Sequence, residues 1–211
     1  MDECREVLAF WFPAGAGDDL PAHREYWVWR MGGGAHEDIV ARYSDMTERA
    51  ARGGLDAWAS TARGRLALIV VLDQFSRSVW RDSARAFAQD PKALALVLEG
   101  YENGHYDALA TVWEKAFFSM PLAHCEGPDH LERIDRVIAR SDALLEAAPA
   151  HLKPMYEFNA GQPRRHREVI ATFGRYPHRN HALGRESTPE ELAYVARGAF
   201  PHLRRPPDMR S

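Results

Sequence analysis

Cysteine is nearly absent from this chain, and what little there is, Cys4 and Cys125, cannot build a disulfide framework. So few thiols fit a reducing compartment. Neither sign of charge is in surplus: the formal net charge is −3 and the sequence pI about 6.4. A nucleic-acid binder carries a basic excess as its electrostatic footprint, so nucleic acid is not an expected partner. Long hydrophobic runs are missing too. The longest, LALIVVL (Leu66 to Leu72), is far shorter than the roughly 20 residues a membrane-spanning helix needs. The opening MDECREVLAFWF carries acids early and has no small-residue cleavage site, so no signal peptide is expected. These absences lead to the expectation of a soluble, cytoplasmic protein without a membrane partner.

Familiar cofactor and metal signatures are also missing. Gly32, Gly33 and Gly34 follow no strand and precede no Gly-Lys-Ser/Thr, so they read as a loop and not as a phosphate cradle. No H-E-x-x-H pair occurs, and neither a cofactor nor a metal is expected. Strand-like alternation and internal repeats at a fixed period are not found.

What is present is a core-forming composition, 45% hydrophobic and 10% aromatic, ample for one large domain at this length. Apolar residues recur at helical spacing. Glu3 to Trp11 reads as a first helix, followed by a short aromatic helix from Ala22 to Met31 and an amphipathic one from His36 to Arg52. The most apolar helix runs from Arg63 to about Phe75. Asp90-Pro91 opens another, with Asp90 as N-cap and Pro91 at the first helical position. Thr111 to Met120 should stop before Pro121, and a longer helix spans Pro128 to Ala147. Lys153 to Phe173 should kink or split near Gly161–Gln162 because of Pro163. Thr188-Pro189-Glu190-Glu191 is a capping signature for a last short helix. The expectation is all-α: a single-domain α-α superhelix of antiparallel helical hairpins over residues 1–200, with 201–211 a disordered tail.

The stretch FGRYPHRNHALGR, Phe173 to Arg185, stands apart. Its five basic groups (Arg175, His178, Arg179, His181, Arg185) meet no acid before Glu186, and Gly174, Pro177 and Gly184 break any long helix. It reads as a rigid corner whose cations face a cleft. Together with VLAFWF, VLDQFSRSVWR, AFAQDPKAL and FFSMPLAHCE, its extension FGRYPHRNHALGREST resembles the blocks of the bacterial DUF924 family. That resemblance covers nearly the whole chain. It implies a fold similar to tetratricopeptide-type arrays and no activity, since the family name declares the function unknown. The chain departs from the family pattern at Ser76 and Ser78, where Pro and Asn are usual, and at Lys115, Ser119 and Cys125, where Arg, Tyr and Ser are usual. Ser119 in place of Tyr opens space beside His124.

Several constellations could carry chemistry. Asp73, Arg77 and Arg81 fall at i, i+4 and i+8 on one helix face. Either Asp73 locks Arg77 structurally or it orients Arg77 to receive an oxyanion bidentately. His124, Cys125, Glu126, Asp129 and His130 form the densest metal-capable cluster, but six residues across a Gly-Pro turn is no usual ligand spacing. Cys125 is either a small buried thiol or a thiolate nucleophile. His124 is the better proton carrier, because an imidazole titrates near working pH. His166 is either a buried histidine bonded to a carbonyl or part of the cleft. Trp27 is a candidate cleft wall, though aromatic stripes more often belong to a core.

The functional expectation is an enzyme or binder for a small anionic molecule bearing a carboxylate, phosphate or sulfate. Arg77, Arg175, Arg179 and Asn180 would hold the anion, and His124 or His178 would move a proton in metal-independent acid–base or substitution chemistry. The alternative is a tetratricopeptide-like module that binds a peptide or carrier protein without catalysis. Oligomeric state is left open.

Overall fold

The computed structural model describes residues 2–17, 19–198 and 200–206. No strand occurs among them, and the chain is a single all-α domain. In order come α1 (Glu3–Trp11), α2 (Leu20–Met31), α3 (His36–Ala51), α4 (Ala62–Val70), α5 (Ser76–Val79), α6 (Asp90–Glu102), α7 (Val112–His124), α8 (His130–Ala147), α9 (Lys153–Phe173) and α10 (Pro189–Arg197). No described helix is long and apolar enough to cross a membrane.

The caps explain where several helices begin. Asp2, Asp19 and Thr61 each accept a backbone N–H at the first turn of α1, α2 and α4. Thr111/Glu114 and Thr188/Glu191 form reciprocal capping boxes on α7 and α10, the second at the residues the sequence signature names. Gly174 ends α9 in the left-handed conformation at φ 69°.

The middle of the molecule is α4 and its continuation. Residues 66–72 are all 1% exposed or less, because α1, α3, α6 and α7 cover every side of this helix. It does not stay α-helical to its end. Val71–Phe75 form a π turn before α5 resumes. Such a widened turn is uncommon and often marks a working site. Farther out, α8 and α9 form an antiparallel hairpin. Arg164 pairs with Asp142 and Arg167 with Asp135, so partners advance along one helix as they recede along the other.

Two sequence expectations are corrected. Helix α7 does not stop at Pro121 but runs through it to His124. Of the kink or split expected at Pro163, the split does not occur: α9 is one helix from Lys153 to Phe173. Both prolines are buried, and tertiary packing there outweighs the roughly 3 kcal/mol a mid-helix proline costs. In the stretch expected as a tail, Pro201–Leu203 form a single 3₁₀ turn packed near α9, and Pro201 is buried. Residues 207–211 of that expectation lie outside the described residues.

Gly100 gives a test of core packing. A methyl group there would lie 2.8 Å from Arg65 Cδ and closer still to Phe118 Cζ. Gly100→Ala should therefore destabilise the protein by about 1–3 kcal/mol in urea titration. Helix propensity alone predicts a gain of about 1 kcal/mol, so a stabilised variant would refute this packing.

Candidate functional site

The π turn sets the site's geometry. It carries Asp73, fully buried, whose carboxylate meets His124 from the last turn of α7: Nδ1 lies 2.8 Å from Oδ1 and 2.9 Å from Oδ2. The same carboxylate accepts from the side-chain amide of Gln74 and, at 3.4 Å, from Arg77 Nη2. Burial alone would raise the Asp73 carboxyl. The imidazole and guanidinium charges beside it outweigh that and hold it below the usual carboxylate range. An ionised carboxylate only accepts hydrogen bonds, so the proton of a neutral His124 sits on Nδ1 and Nε2 carries the free lone pair.

From Asp73 the charges alternate inward. Arg77 Nη2 donates to Asp90 Oδ1 at 2.8 Å, and Arg179 Nη1 donates to Asp90 Oδ2 at 3.0 Å. Asp90 begins α6 but does not cap it. Its carboxylate bridges two arginines instead, and no side chain caps that helix. Arg77 Nη1 also donates to the Ala86 carbonyl. Arg179 is clasped between the rings of Phe87 and Tyr176, at 4.5 and 4.7 Å.

The His124 imidazole and the Arg77 and Arg179 guanidiniums form part of the wall of a cavity of about 660 Å³. His124, Arg77, Arg179, His166, His178 and Trp27 line it, so the structure brings together six residues that the sequence singled out from α2, α5, α7, α9 and the corner. His166 and His178 flank Tyr176, each 5.5 Å from its ring. Burial pushes both imidazoles down, His178 to about 2, and their cationic neighbours push the same way. They are neutral groups at ordinary pH. Trp27 packs edge-on against Phe158.

Other candidates stand elsewhere. Arg175 and Asn180 do not line the cavity. Arg175 grips Glu191 with Nε and Nη2 at 2.7 and 2.8 Å, and Asn180 donates to the same carboxylate. They tie the corner to the start of α10. Arg81 leaves the Asp73–Arg77 face, because α5 ends at Val79, and it sits exposed at the cavity wall beside Asp82. The metal-capable cluster is dispersed: Glu126 pairs with Arg185, Asp129 with Arg133, and His130 bonds the Ala123 carbonyl. Among the described residues no group of three metal-capable side chains converges. Cys125 is buried, and burial pushes its thiol up, away from the reactive thiolate.

Sequence reasoning passed over several residues at the cavity wall or directly behind it. Asp90 was hidden by its resemblance to a cap. His202, Arg204 and Arg205 come from the segment expected to be disordered. Arg30 was masked by the aromatic stretch Tyr26-Trp27-Val28-Trp29, in which a lone cation was the only signal. A second, smaller cavity of about 130 Å³ shares wall with the first and includes Ser119 and His124. It lies where the sequence leads to expect space beside His124.

Two predictions follow from burial. Asp90→Asn leaves two arginines short of their shared carboxylate and should cost about 3–5 kcal/mol; a loss under 1 kcal/mol by urea titration would show that the bridge contributes little. His23 and His130, each 1% exposed, have imidazoles pushed down by burial to about 4. The unfolded imidazole titrates near 6.5, so between about pH 6.5 and 4 the unfolded state binds the extra protons. Stability should be flat in these groups above pH 6.5 and fall as pH drops through that window, by at most about 3 kcal/mol for each histidine. Equal unfolding free energies at pH 7 and pH 4.5 would contradict it.

No curated protein matches the chain. A solved structure from Agrobacterium tumefaciens, a protein of unknown function, is similar to it with a TM-score of 0.64 and 29% identity, over 93% of this chain and 98% of that one. The family model described as a bacterial protein of unknown function matches residues 7–199. The chain belongs to the bacterial DUF924 family.

Proposed function

We propose that this protein is an enzyme for a small anionic molecule, with His124 as the proton-transferring group and Asp73 as the residue that orients it. The supporting observation is the Asp73–His124 pair at the wall of a ligand-sized cavity. With Nδ1 bound to a carboxylate, Nε2 is the nitrogen left to take a proton from a bound molecule. The charge of Asp73 then stabilises the imidazolium that forms. Among the cavity's described imidazoles, His124 alone has a carboxylate partner.

The sign of the cavity supports an anion. Six arginines line it: Arg30, Arg77, Arg81, Arg179, Arg204 and Arg205. Asp82 is the one acid on the wall among the described residues, and Asp73 and Asp90 stand behind it. With imidazoles neutral, positive charge is in excess by three. Arg77 and Arg179 are already paired, so they contribute field and rigidity more than a free fork. The exposed Arg81, Arg204 and Arg205 draw an anion inward from solvent.

The test begins with a thermal-shift screen of small carboxylates, phosphates and sulfate esters, followed by mass-spectrometric detection of turnover for those that bind. His124→Gln should lower turnover about 10²- to 10⁴-fold, and Asp73→Asn should lower it while leaving ligand-induced stabilisation largely intact. Undiminished turnover in His124→Gln, or no anion that stabilises the wild type, would sink the reading.

A further inference from the structure

Arg30, in the last turn of α2, is 5% exposed and has no carboxylate partner among the described residues. Its Nη1 donates to the Trp11 carbonyl, which fixes the plane of the guanidinium. That plane lies among the rings of Trp113, Phe117 and Trp11, at 4.7, 5.1 and 5.9 Å. Nε and Nη2 are buried and meet no acceptor. A buried guanidinium so poorly satisfied is expensive, and native structures keep such groups for a reason.

The two unsatisfied nitrogens are one edge of the fork. Elsewhere in this molecule the same edge holds a carboxylate: Arg175 grips both oxygens of Glu191 with Nε and Nη2, and Arg167 grips Asp135 in the same way. Arg30 presents that edge with no internal acid to fill it. It also stands where the two cavities meet, lining both together with Met31 and His124. The smaller cavity is walled mainly by apolar side chains such as Phe117, Met120 and Leu144, and its 130 Å³ is of the order that admits a benzene-sized group. Both nitrogens are covered, and Met31, which lines both cavities with Arg30, is an unbranched, adaptable side chain able to shift and admit a ligand.

Building on the proposed reading that the cavity takes a small anion, we propose that Arg30 is the receptor for a carboxylate carried on an apolar, benzene-sized group that occupies the smaller cavity. The carboxylate binds the Nε/Nη2 edge side-on, and the apolar group fills the pocket between α2, α7, α8 and α9. This places the remainder of the molecule next to His124, which borders both spaces.

Titration calorimetry on the full chain can test this with phenylacetate and hexanoate, their neutral amides, and inorganic phosphate and sulfate. Wild type should bind phenylacetate at least about tenfold more tightly than phenylacetamide, since an unsatisfied buried charge discriminates strongly. Arg30→Met should erase that acid-over-amide preference while melting at the same or a higher temperature, because it removes an unpaired buried charge. Arg30→Lys keeps the charge but not the fork, and should reduce the preference; it serves if the Met variant does not fold. A preference that survives both substitutions overturns the proposal. So does binding of phosphate or sulfate alone, unaffected by Arg30→Met, although the acid–base role of His124 would stand. Failure of every anion to bind wild type would remove both readings. Binding through Arg30 with full turnover in His124→Gln would remove only the catalytic one.

Discussion

The arrangement depends on one run of alternating charge: Asp73, Arg77, Asp90 and Arg179, of which three are buried and Arg77 is half-buried at the cavity wall. Each member comes from a different part of the chain or turns a different way, so their pairing joins the π turn, the start of α6 and the Pro177–Arg179 corner into one rigid wall. Taking these charges out of water is costly, and the cost is met because each has an opposite neighbour, while Arg77 also bonds a carbonyl and Arg179 lies between two rings. Such a network contributes less to net stability than to holding one geometry against alternatives. Here the geometry held is the position of Asp73, and through it the orientation of the His124 ring.

Because that run satisfies its own cations, the chemistry left for a ligand is narrower than the number of basic residues suggests. Arg175 is committed to Glu191, Arg185 to Glu126, and Arg77 and Arg179 to Asp90. His166 and His178 are pressed toward the neutral state by burial and by cationic neighbours. They act as dipoles and walls. His124 and Arg30 differ from all of these, one by being joined to an ionised acid while its other nitrogen stays available, the other by being buried with no acid partner among the described residues.

A helical domain of this kind does not dictate a reaction, and the similar Agrobacterium structure shares the fold without naming a function. The segment that supplies His202, Arg204 and Arg205 lies beyond the family match, which ends at residue 199. It closes one side of the cavity with side chains outside the blocks by which the family resemblance is carried.

The sequence alone determined the all-α class, most helix starts and the central apolar helix, since these rest on local periodicity and caps that neighbouring residues enforce. It also picked out His124, Asp73, Arg77, His166, His178, Arg179 and Trp27, because imidazoles, paired charges and an interrupted basic corner are visible in one dimension. It could not show that Asp90 bridges rather than caps, that Pro121 sits inside a helix, or that Arg175 and Asn180 serve Glu191. Those outcomes turn on which oppositely charged or apolar partner lies across the fold, at separations of up to 89 residues in the Asp90–Arg179 pair. Electrostatic pairing and burial are properties of distance in space. Only the tertiary structure decided which arginines were spent on the protein's own acids, and that Arg30 lies buried without one among the described residues.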